Sequence, residues 1–164
     1  MKFVKAAAIA IAIAAGSFGA TGVYAANIVE TAKSVGTFNT LLAAAQAAGL
    51  ADALATTNNI TVFAPTDEAF AALPAGTVDS LLKPENKDKL VAILSMHVLP
   101  RVLESNQLLS KPFHVRTLNS AERLTISAKA SGVTVKGSNT AKVVQADVKA
   151  DNGVIHVIDT VLLP

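Results

Sequence analysis

The stretch Ile60-Thr-Val-Phe-Ala-Pro-Thr-Asp-Glu-Ala-Phe70 changes secondary structure part-way along its length. Its first residues are mostly apolar and rich in β-branched side chains, which predicts a strand over Ile60–Ala64. Pro65 ends this strand, because proline has no amide hydrogen to donate to a neighbouring strand. Thr66 is a good N-cap, and Asp67 then falls in the first turn of a helix, where the helix dipole favours acids. The stretch therefore predicts a strand that runs directly into a helix.

The residues on either side of this stretch, up to about Met96, have the spacing of helices. Asn27 and Glu30 resemble a capping box at the start of a short helix, and Thr37 is placed to cap the next one. Apolar residues then recur at helical spacing until Gly49, which sits where a C-terminal cap is expected. Further short helices are predicted over Leu50–Ala55, from Thr77 onward and from Pro84 onward.

The second half of the chain has the pattern of strands separated by turns. Clusters of Asn, Gly, Ser and Asp divide the apolar and β-branched runs at the spacing of an antiparallel meander or sandwich. The predicted strands are Phe113–Leu118, Arg123–Ala128, Val133–Lys136, Lys142–Val148 and Val154–Leu163. Because helices precede strands instead of alternating with them, the predicted fold class is α+β rather than a parallel βαβ sheet.

Residues 1–26 have the pattern of a cleavable export signal. A basic start is followed by an uncharged run of Ala and Ile, and small residues precede an expected cleavage site after Ala25 or Ala26. The apolar run is shorter than the roughly 20 residues that span a bilayer. We therefore expect residues 27–164 to form a single domain, with no membrane span once the signal is removed.

Removal of this segment leaves a chain without net charge. Of the 14 basic residues, Lys2 and Lys5 lie in the segment, which leaves 12 against 12 acidic ones. A net charge of zero gives no electrostatic reason to bind nucleic acid or an anionic membrane. Tyr24 is also removed, and the remainder has neither Trp nor Tyr, the side chains on which interfaces and base-stacking surfaces usually depend.

No arrangement of residues in the sequence is typical of a catalytic or metal site. The chain has no cysteine, which excludes disulfides and thiolate chemistry. His97, His114 and His156 are far apart, and none has the i,i+3 or i,i+4 partner of a specific metal motif. The sequence also lacks a nucleophile elbow, a phosphate-binding glycine loop and a complete calcium loop. Composition and spacing thus indicate an exported, disulfide-free α+β domain without a visible active site, and we expect no cofactor or metal.

Three segments resemble the motifs of the fasciclin domain family. The first is Thr61–Phe70, the second is Met96–Pro100, and the third is Asn152–Asp159 with the chain that follows it. Their order and separation are similar to those of the family over essentially all of the processed chain. Met96 stands where the family usually has Tyr, and although it lacks the hydroxyl it can still fill an apolar site.

The resemblance implies a fasciclin-like wedge, in which a β-sandwich is flanked by several α-helices. It also implies a structural role for the matched motif positions, which are Phe63, Pro65, Thr66, Asp67, Phe70, His97, Pro100, Asn152, Gly153, His156 and Asp159. His97 and His156 are expected in the packed interior or at its margin, where a polar side chain needs a hydrogen-bond partner. We expect Thr66 or Asp67 to be the partner of His97.

The function that the resemblance implies is adhesion. Fasciclin domains are mainly non-enzymatic, extracellular adhesion and matrix-associated modules. We therefore expect a monomeric module, periplasmic or secreted, that binds a protein or an envelope or matrix component. In some animal members an Asp-Ile pair before the third segment is tied to integrin binding, and the matching positions here are Asp147 and Val148. The residues themselves favour a solvated Asp147 and a Val148 packed in a strand.

Two other functions stay open at this point. Some fasciclin-like proteins resemble carotenoid or lipid binders, and small apolar side chains can leave room for such a ligand between helices and sheet. The third hypothesis is a hydrolase that uses His97 or His156, and the lack of an oriented nucleophile weighs against it.

Overall fold

The computed structural model describes residues 26–108, 112–119, 123–129 and 132–164. The predicted export signal lies outside these ranges except for Ala26. The α-helices are α1 Ile28–Val35, α2 Asn39–Ala48, α3 Ala51–Thr56, α4 Asp67–Ala71, α5 Thr77–Leu81, α6 Lys87–Met96 and α7 Ser105–Leu108, with a 3-10 turn at Pro84–Asn86. The strands are β1 Ile60–Pro65, β2 Val98–Leu99, β3 Phe113–Arg116, β4 Arg123–Lys129, β5 Gly132–Lys136, β6 Thr140–Ala150 and β7 Gly153–Ile158.

The strands form one sheet in the order β2-β1-β7-β6-β5-β4-β3. The pairs are antiparallel except β1 and β7, which run parallel from the pair Ile60–Gly153 to the pair Pro65–Ile158. Just beyond β3, the amide of Leu118 donates to the carbonyl of Val98 in β2 at 2.9 Å. The two ends of the sheet therefore meet, and the sheet forms a nearly closed barrel.

The α+β class is confirmed, and the predicted strands occur within a few residues of their expected bounds. The last strand ends at Ile158 rather than at Leu163, because the chain bends at Asp159. The Asp159 carboxylate there accepts hydrogen bonds from the Lys142 amide and the Thr160 hydroxyl, both at 2.9 Å. The short strand β2, the helix α7 and the parallel pairing of β1 with β7 were not predicted.

The two faces of β1 and β7 are both covered, so these strands are fully buried. Successive side chains of a strand point to opposite faces. Val62 of β1 and Ile155 of β7 accordingly pack against the helices, in a core built with α1, α2 and α6. Phe63 and Ile158 pack on the other side, in the interior of the barrel. Met96 is also fully buried in the barrel, as predicted for an apolar side chain at this position.

Candidate functional site

His156 lies fully buried in β7, beside the ring of Phe63, at a centroid distance of 5.6 Å. Its Nε2 atom lies 2.7 Å from the carbonyl oxygen of Leu103, and its Nδ1 atom lies 3.3 Å from the amide nitrogen of Asp147. A carbonyl only accepts and an amide only donates, so the ring is held as the neutral Nε2–H tautomer. Burial lowers the pKa of His156, and the bond to Leu103 and the charge of Asp147 offset this only in part.

Thr61 ties the segment before α7 to β1. Its buried hydroxyl donates to the carbonyl of Arg101 and accepts from the amide of Leu103, both at 2.8 Å. Because His156 binds the carbonyl of Leu103, both backbone groups of Leu103 are held by buried side chains of the central strands. The first and third sequence motifs therefore fix the path of this segment together.

Asp147 lies where the register between β6 and β7 shifts, and it has a φ of 57°. Its carboxylate accepts hydrogen bonds from the amide of Ser105, at 2.8 Å, and from the Ser105 hydroxyl, at the first residue of α7. Desolvation raises the pKa of Asp147, but the hydrogen bonds from Ser105 outweigh it and the pKa lies below its ordinary value.

The pair Asp147-Val148 is thus built into the fold. Asp147 is partly exposed, and its carboxylate also caps α7 across a gap of 42 residues, which the sequence did not predict. Val148 is partly buried against the helical core, as the residues favoured. A partner-binding role for this pair stays a prediction.

His97 is the second buried histidine and follows α6. Its Nδ1 atom donates to the carbonyl of Ile93 at 2.8 Å, and its Nε2 atom accepts from the amide of Leu162 at 3.0 Å. The prediction that Thr66 or Asp67 would be its partner is wrong, because both of these side chains cap helix N-termini instead. Burial lowers the pKa of His97 from 6.5 to about 4, although the bond to Ile93 opposes this shift.

Asp67 caps a helix that is distant in sequence. Its Oδ1 accepts from the amide of Thr40 at 2.7 Å, and its Oδ2 accepts from the amide and the side chain of Asn39 at 3.3 and 3.1 Å. Thr37 is not the cap of α2, contrary to expectation, because the N-cap residue is Phe38, whose side chain offers no acceptor. Desolvation raises the pKa of Asp67, but the hydrogen bonds from Thr40 and Asn39 outweigh it and lower the pKa.

The substitution Asp67→Asn should lower the free energy of unfolding by about 1–2 kcal/mol at neutral pH. The variant keeps one neutral oxygen in place of a carboxylate whose two oxygens both accept, and hydrogen bonds to a charged acceptor are about twice as strong as neutral ones. Urea denaturation followed by far-UV circular dichroism measures it. Because the pKa of Asp67 is lowered in the folded state, this stabilisation is present above pH 3.8 and is lost as the pH falls through the folded value.

Glu68→Gln is the matched control, since it removes the same charge at the exposed neighbouring position of α4. This substitution should change the free energy of unfolding by no more than about 0.5 kcal/mol. An equal loss in both variants, or a loss in Asp67→Asn that does not diminish in acid, would contradict the capping role.

Asn152 joins the start of α1 to the end of α3. Its Oδ1 accepts from the amide of Ile28 at 2.8 Å, and its Nδ2 donates to the carbonyls of Leu54 and Thr57 at 2.7 and 2.8 Å. The next residue, Gly153, lies directly against β1. A Cβ atom on Gly153 would stand 2.0 Å from the carbonyl oxygen of Ile60, so only glycine fits.

The remaining motif positions surround these bonds. Phe63 is buried in the barrel core and Phe70 in the helical core. Pro65 ends β1, and the Thr66 hydroxyl accepts from the amide of Ala69 at 3.2 Å, which confirms the predicted N-cap of α4. Two motif positions are exposed: Pro100 and Asp159.

The three motifs therefore meet at the β1–β7 pair, in the order and separation at which they occur in the sequence. The sequence model of the fasciclin domain matches residues 36–164. This chain belongs to the fasciclin domain family. The seven-stranded barrel with its helices is accordingly a fasciclin fold, as the resemblance implied.

Relatives of this fasciclin domain differ widely in length. Protein sll1483 of Synechocystis sp. is 54% identical over 140 residues, which are 85% of this chain and 74% of that protein. Transforming growth factor-beta-induced protein ig-h3 of Sus scrofa is 40% identical over 137 residues, but these are only 19% of that protein. A solved FAS1 domain pair from the insect cell adhesion molecule Fasciclin I has a TM-score of 0.66 and 25% identity, over 79% of this chain and 46% of that one.

Asn139 is one position of this fasciclin domain whose role was not predicted. Its Nδ2 donates to the carbonyl of Val161 at 2.7 Å, and its Oδ1 accepts from the amide of Leu163 at 3.1 Å. The sequence indicates only a turn at Asn139, since the signal for a turn is local and the chain it binds is more than 20 residues away.

The buried polar side chains of the described residues form hydrogen bonds within the domain. In the described ranges, every buried side-chain nitrogen and oxygen has a hydrogen-bond partner, and no three His, Asp or Glu residues are grouped as metal ligands. Over the same part of the chain, the helices are too short or too polar to cross a bilayer.

Proposed function

We propose that this fasciclin domain is an exported, non-catalytic module that binds a cell-surface, matrix or envelope partner through its outer surface. Domains of this family occur in cell adhesion proteins, such as the insect molecule Fasciclin I. The observation that carries the proposal is that the buried polar motif side chains bind backbone groups of the protein itself. His97, Asn152 and His156 each have both of their polar atoms engaged in this way. Recognition of a partner is therefore left to the exposed side chains.

A hydrolytic role for either histidine finds no support in this arrangement. A general base needs a free ring nitrogen within hydrogen-bond reach of the proton that it removes. In His97 and His156 one nitrogen donates to a carbonyl and the other accepts from an amide. Their exposed fractions are 1% and 0%, so both rings are shielded from a substrate in solution.

Export through residues 1–26, and a location in the periplasm or outside the cell, are part of the proposal. The hydrogen bonds of Ala26 favour cleavage after Ala25 over cleavage after Ala26. The carbonyl of Ala26 accepts from the amide of Asp151 at 3.0 Å and from the Thr31 hydroxyl at 3.3 Å. Cleavage after Ala25 would keep these bonds in the processed domain.

The cavities of the described fold weigh against the alternative of a carotenoid or lipid carrier. Two apolar cavities lie beneath α3, with Leu54 and Val98 lining both, and they measure about 30 and 40 Å³. Each has room for about one or two water-sized groups, far less than a carotenoid or a lipid chain requires. Two larger clefts, of about 440 and 370 Å³, are open to solvent and are lined by polar and charged side chains as well as apolar ones, which suits them poorly to an apolar ligand. Extraction of the native protein with organic solvent and mass spectrometry of the extract tests the carrier function directly.

Deletion of the gene in the native host tests the adhesion function. Attachment of the cells to surfaces and to each other should fall, and complementation with the wild-type gene should restore it. Purified wild-type domain, added in excess, should compete with attachment of the parent strain. A Gly153→Ala domain, in which the β1–β7 contact is disrupted, serves as the control that should not compete. Unchanged attachment of the deletion strain would contradict the proposed function.

A further inference from the structure

The charges of this electrically balanced chain are segregated along its length. Residues 27–100 carry 7 acidic and 4 basic side chains, whereas residues 101–164 carry 5 acidic and 8 basic ones. The excess of positive charge is largest in the strands β3 to β6. Residues 111–145 carry 6 basic side chains and a single acidic one, Glu122, which lies outside the described ranges.

The fold collects these cations on one face of the sheet. Alternate residues of β3 to β6, among them Val115, Leu124, Val135 and Ala141, are buried in the barrel core. The residues between them point outward, and most of them are cationic or bear hydroxyl groups, with His114 and Val144 among the exceptions. We call this surface the basic plate, and its exposed cations are Arg116, Arg123, Lys129, Lys136 and Lys142.

Strand register places the polar groups of the basic plate in rows across the sheet. Arg116 stands directly opposite Arg123. Thr125 stands opposite both His114 and Lys136, and the Nδ1 atom of His114 lies 2.8 Å from the Thr125 hydroxyl. Neighbouring strands lie about 4.8 Å apart, so the rows present cations and hydroxyls at short, regular intervals.

No acidic side chain of the described residues forms an ion pair with the five cations of the basic plate. The ion pair that occurs in this part of the chain joins Lys149 to Glu104 at 3.7 Å. Like charges directly opposite each other on a sheet, as at Arg116 and Arg123, are destabilising. A surface that keeps such a repulsion is suited to an external anion.

We propose that the basic plate binds an acidic polysaccharide whose chain lies across strands β3 to β6. This inference rests on the proposed function, because it names the partner class and the surface of the same module. The cations pair with the carboxylate or sulfate groups of the polymer, while the serine and threonine hydroxyls bond to its sugar hydroxyls.

The same surface is poorly suited to other polyanions. Nucleic-acid strands bind through aromatic stacking as well as charge, and residues 27–164 contain no Trp or Tyr. A bilayer surface is bound by a broad apolar face. The large apolar side chains exposed in the described ranges near the plate are Leu118, which lies beyond β3, and Val144, which lies on β6, so they do not form a broad apolar face.

The test is the binding of the purified processed protein, residues 26–164, to polygalacturonate, measured by isothermal titration calorimetry at low and at physiological salt. Binding should weaken steeply with salt, because the contact is electrostatic. The double variant Arg123→Gln/Lys136→Gln should weaken binding by about tenfold, since each exposed ion pair is worth a few-fold in affinity.

The double variant Lys33→Gln/Lys83→Gln is the matched control, because it removes the same charge from exposed positions of the helical half. It should bind within about twofold of wild type. An equal loss in both double variants, or no binding at low salt, would overturn the proposal. Tighter binding to single-stranded DNA or to phosphatidylglycerol vesicles, or salt-dependent dimerisation in sedimentation, would also overturn it.

These results are independent of the attachment experiment. One result would be that the variant Arg123→Gln/Lys136→Gln fails to bind polygalacturonate while cells that carry it still attach normally. That result rejects the basic plate as the adhesive surface for such a polymer, and the proposed adhesion function of the domain stands. If the deletion strain attaches normally, the adhesion function is rejected whatever the calorimetry shows.

Discussion

Replacement of Gly153 by alanine should lower the free energy of unfolding by at least about 3 kcal/mol, which is the upper range for overpacking in a core. The added Cβ atom would stand 2.0 Å from the carbonyl oxygen of Ile60 and 2.8 Å from Cδ1 of Ile28. The first of these atoms belongs to backbone, so relief requires β1 and β7 to separate. Thermal unfolding followed by far-UV circular dichroism should show a melting temperature lower by on the order of 10 °C.

Gly36→Ala is the matched control for this experiment. Gly36 follows α1 with a φ of +80°, and a Cβ atom there would meet nothing within 4 Å. Its substitution should therefore cost only about 1 kcal/mol, from backbone conformation alone. Similar melting temperatures for the two variants would show that the close approach at Gly153 is not what makes glycine necessary.

Replacement of His97 by leucine should lower the free energy of unfolding by about 2–4 kcal/mol at pH 7. Leucine has a similar volume, but it leaves the carbonyl of Ile93 and the amide of Leu162 without their partner in a buried setting. Urea denaturation by circular dichroism is the appropriate measurement, because residues 27–164 lack Trp and Tyr for fluorescence.

The contribution of His97 to the free energy of unfolding should decrease as the pH falls. Its pKa is 6.5 in the unfolded chain and about 4 in the folded protein. Above pH 6.5 neither state takes up the proton and the full stability is present, whereas from pH 6.5 down to about 4 only the unfolded chain is protonated. Each pH unit in this window lowers the stability by about 1.4 kcal/mol, which makes a total of roughly 3 kcal/mol.

Wild type and His97→Leu should therefore approach the same stability near pH 4, although they differ at pH 7. His114→Leu is the control, because it removes an exposed histidine from β3. The difference in free energy of unfolding between pH 7 and pH 4 should be the same in this variant as in wild type. A constant gap between wild type and His97→Leu at both pH values would reject the neutral, buried state of His97.

Structural features that depend on residues close together in the chain were predictable from the sequence. The strand predicted over Ile60–Ala64, the Thr66 cap and the strand breaks at Gly137–Asn139 and Asp151–Asn152 depend on neighbouring residues, and the structure has them. The fold class follows from the order of these elements, and the motif spacing was sufficient to indicate the family. The burial of His97 and His156 also follows from their place in apolar segments.

Contacts between distant segments were not predictable in the same way. The distant partner of His97 is Leu162, and the cap of α2 comes from Asp67 rather than from the adjacent Thr37. A sequence does not show which backbone N–H and C=O groups will bind a distant side chain, because nearly every residue has the same groups. The basic plate was missed for another reason. A net charge summed over the whole domain is zero, although the unequal distribution between its halves can be counted from the same residues.

The parallel pairing of β1 with β7 has a consequence for how the chain acquires its structure. Ile60 pairs with Gly153, so the central contact of the barrel joins segments near the two ends of the domain. Contacts between such remote segments make folding slow, because a long loop must close before they form. A ribosome must therefore release nearly the entire polypeptide before β7 can pair with β1 and the barrel can close.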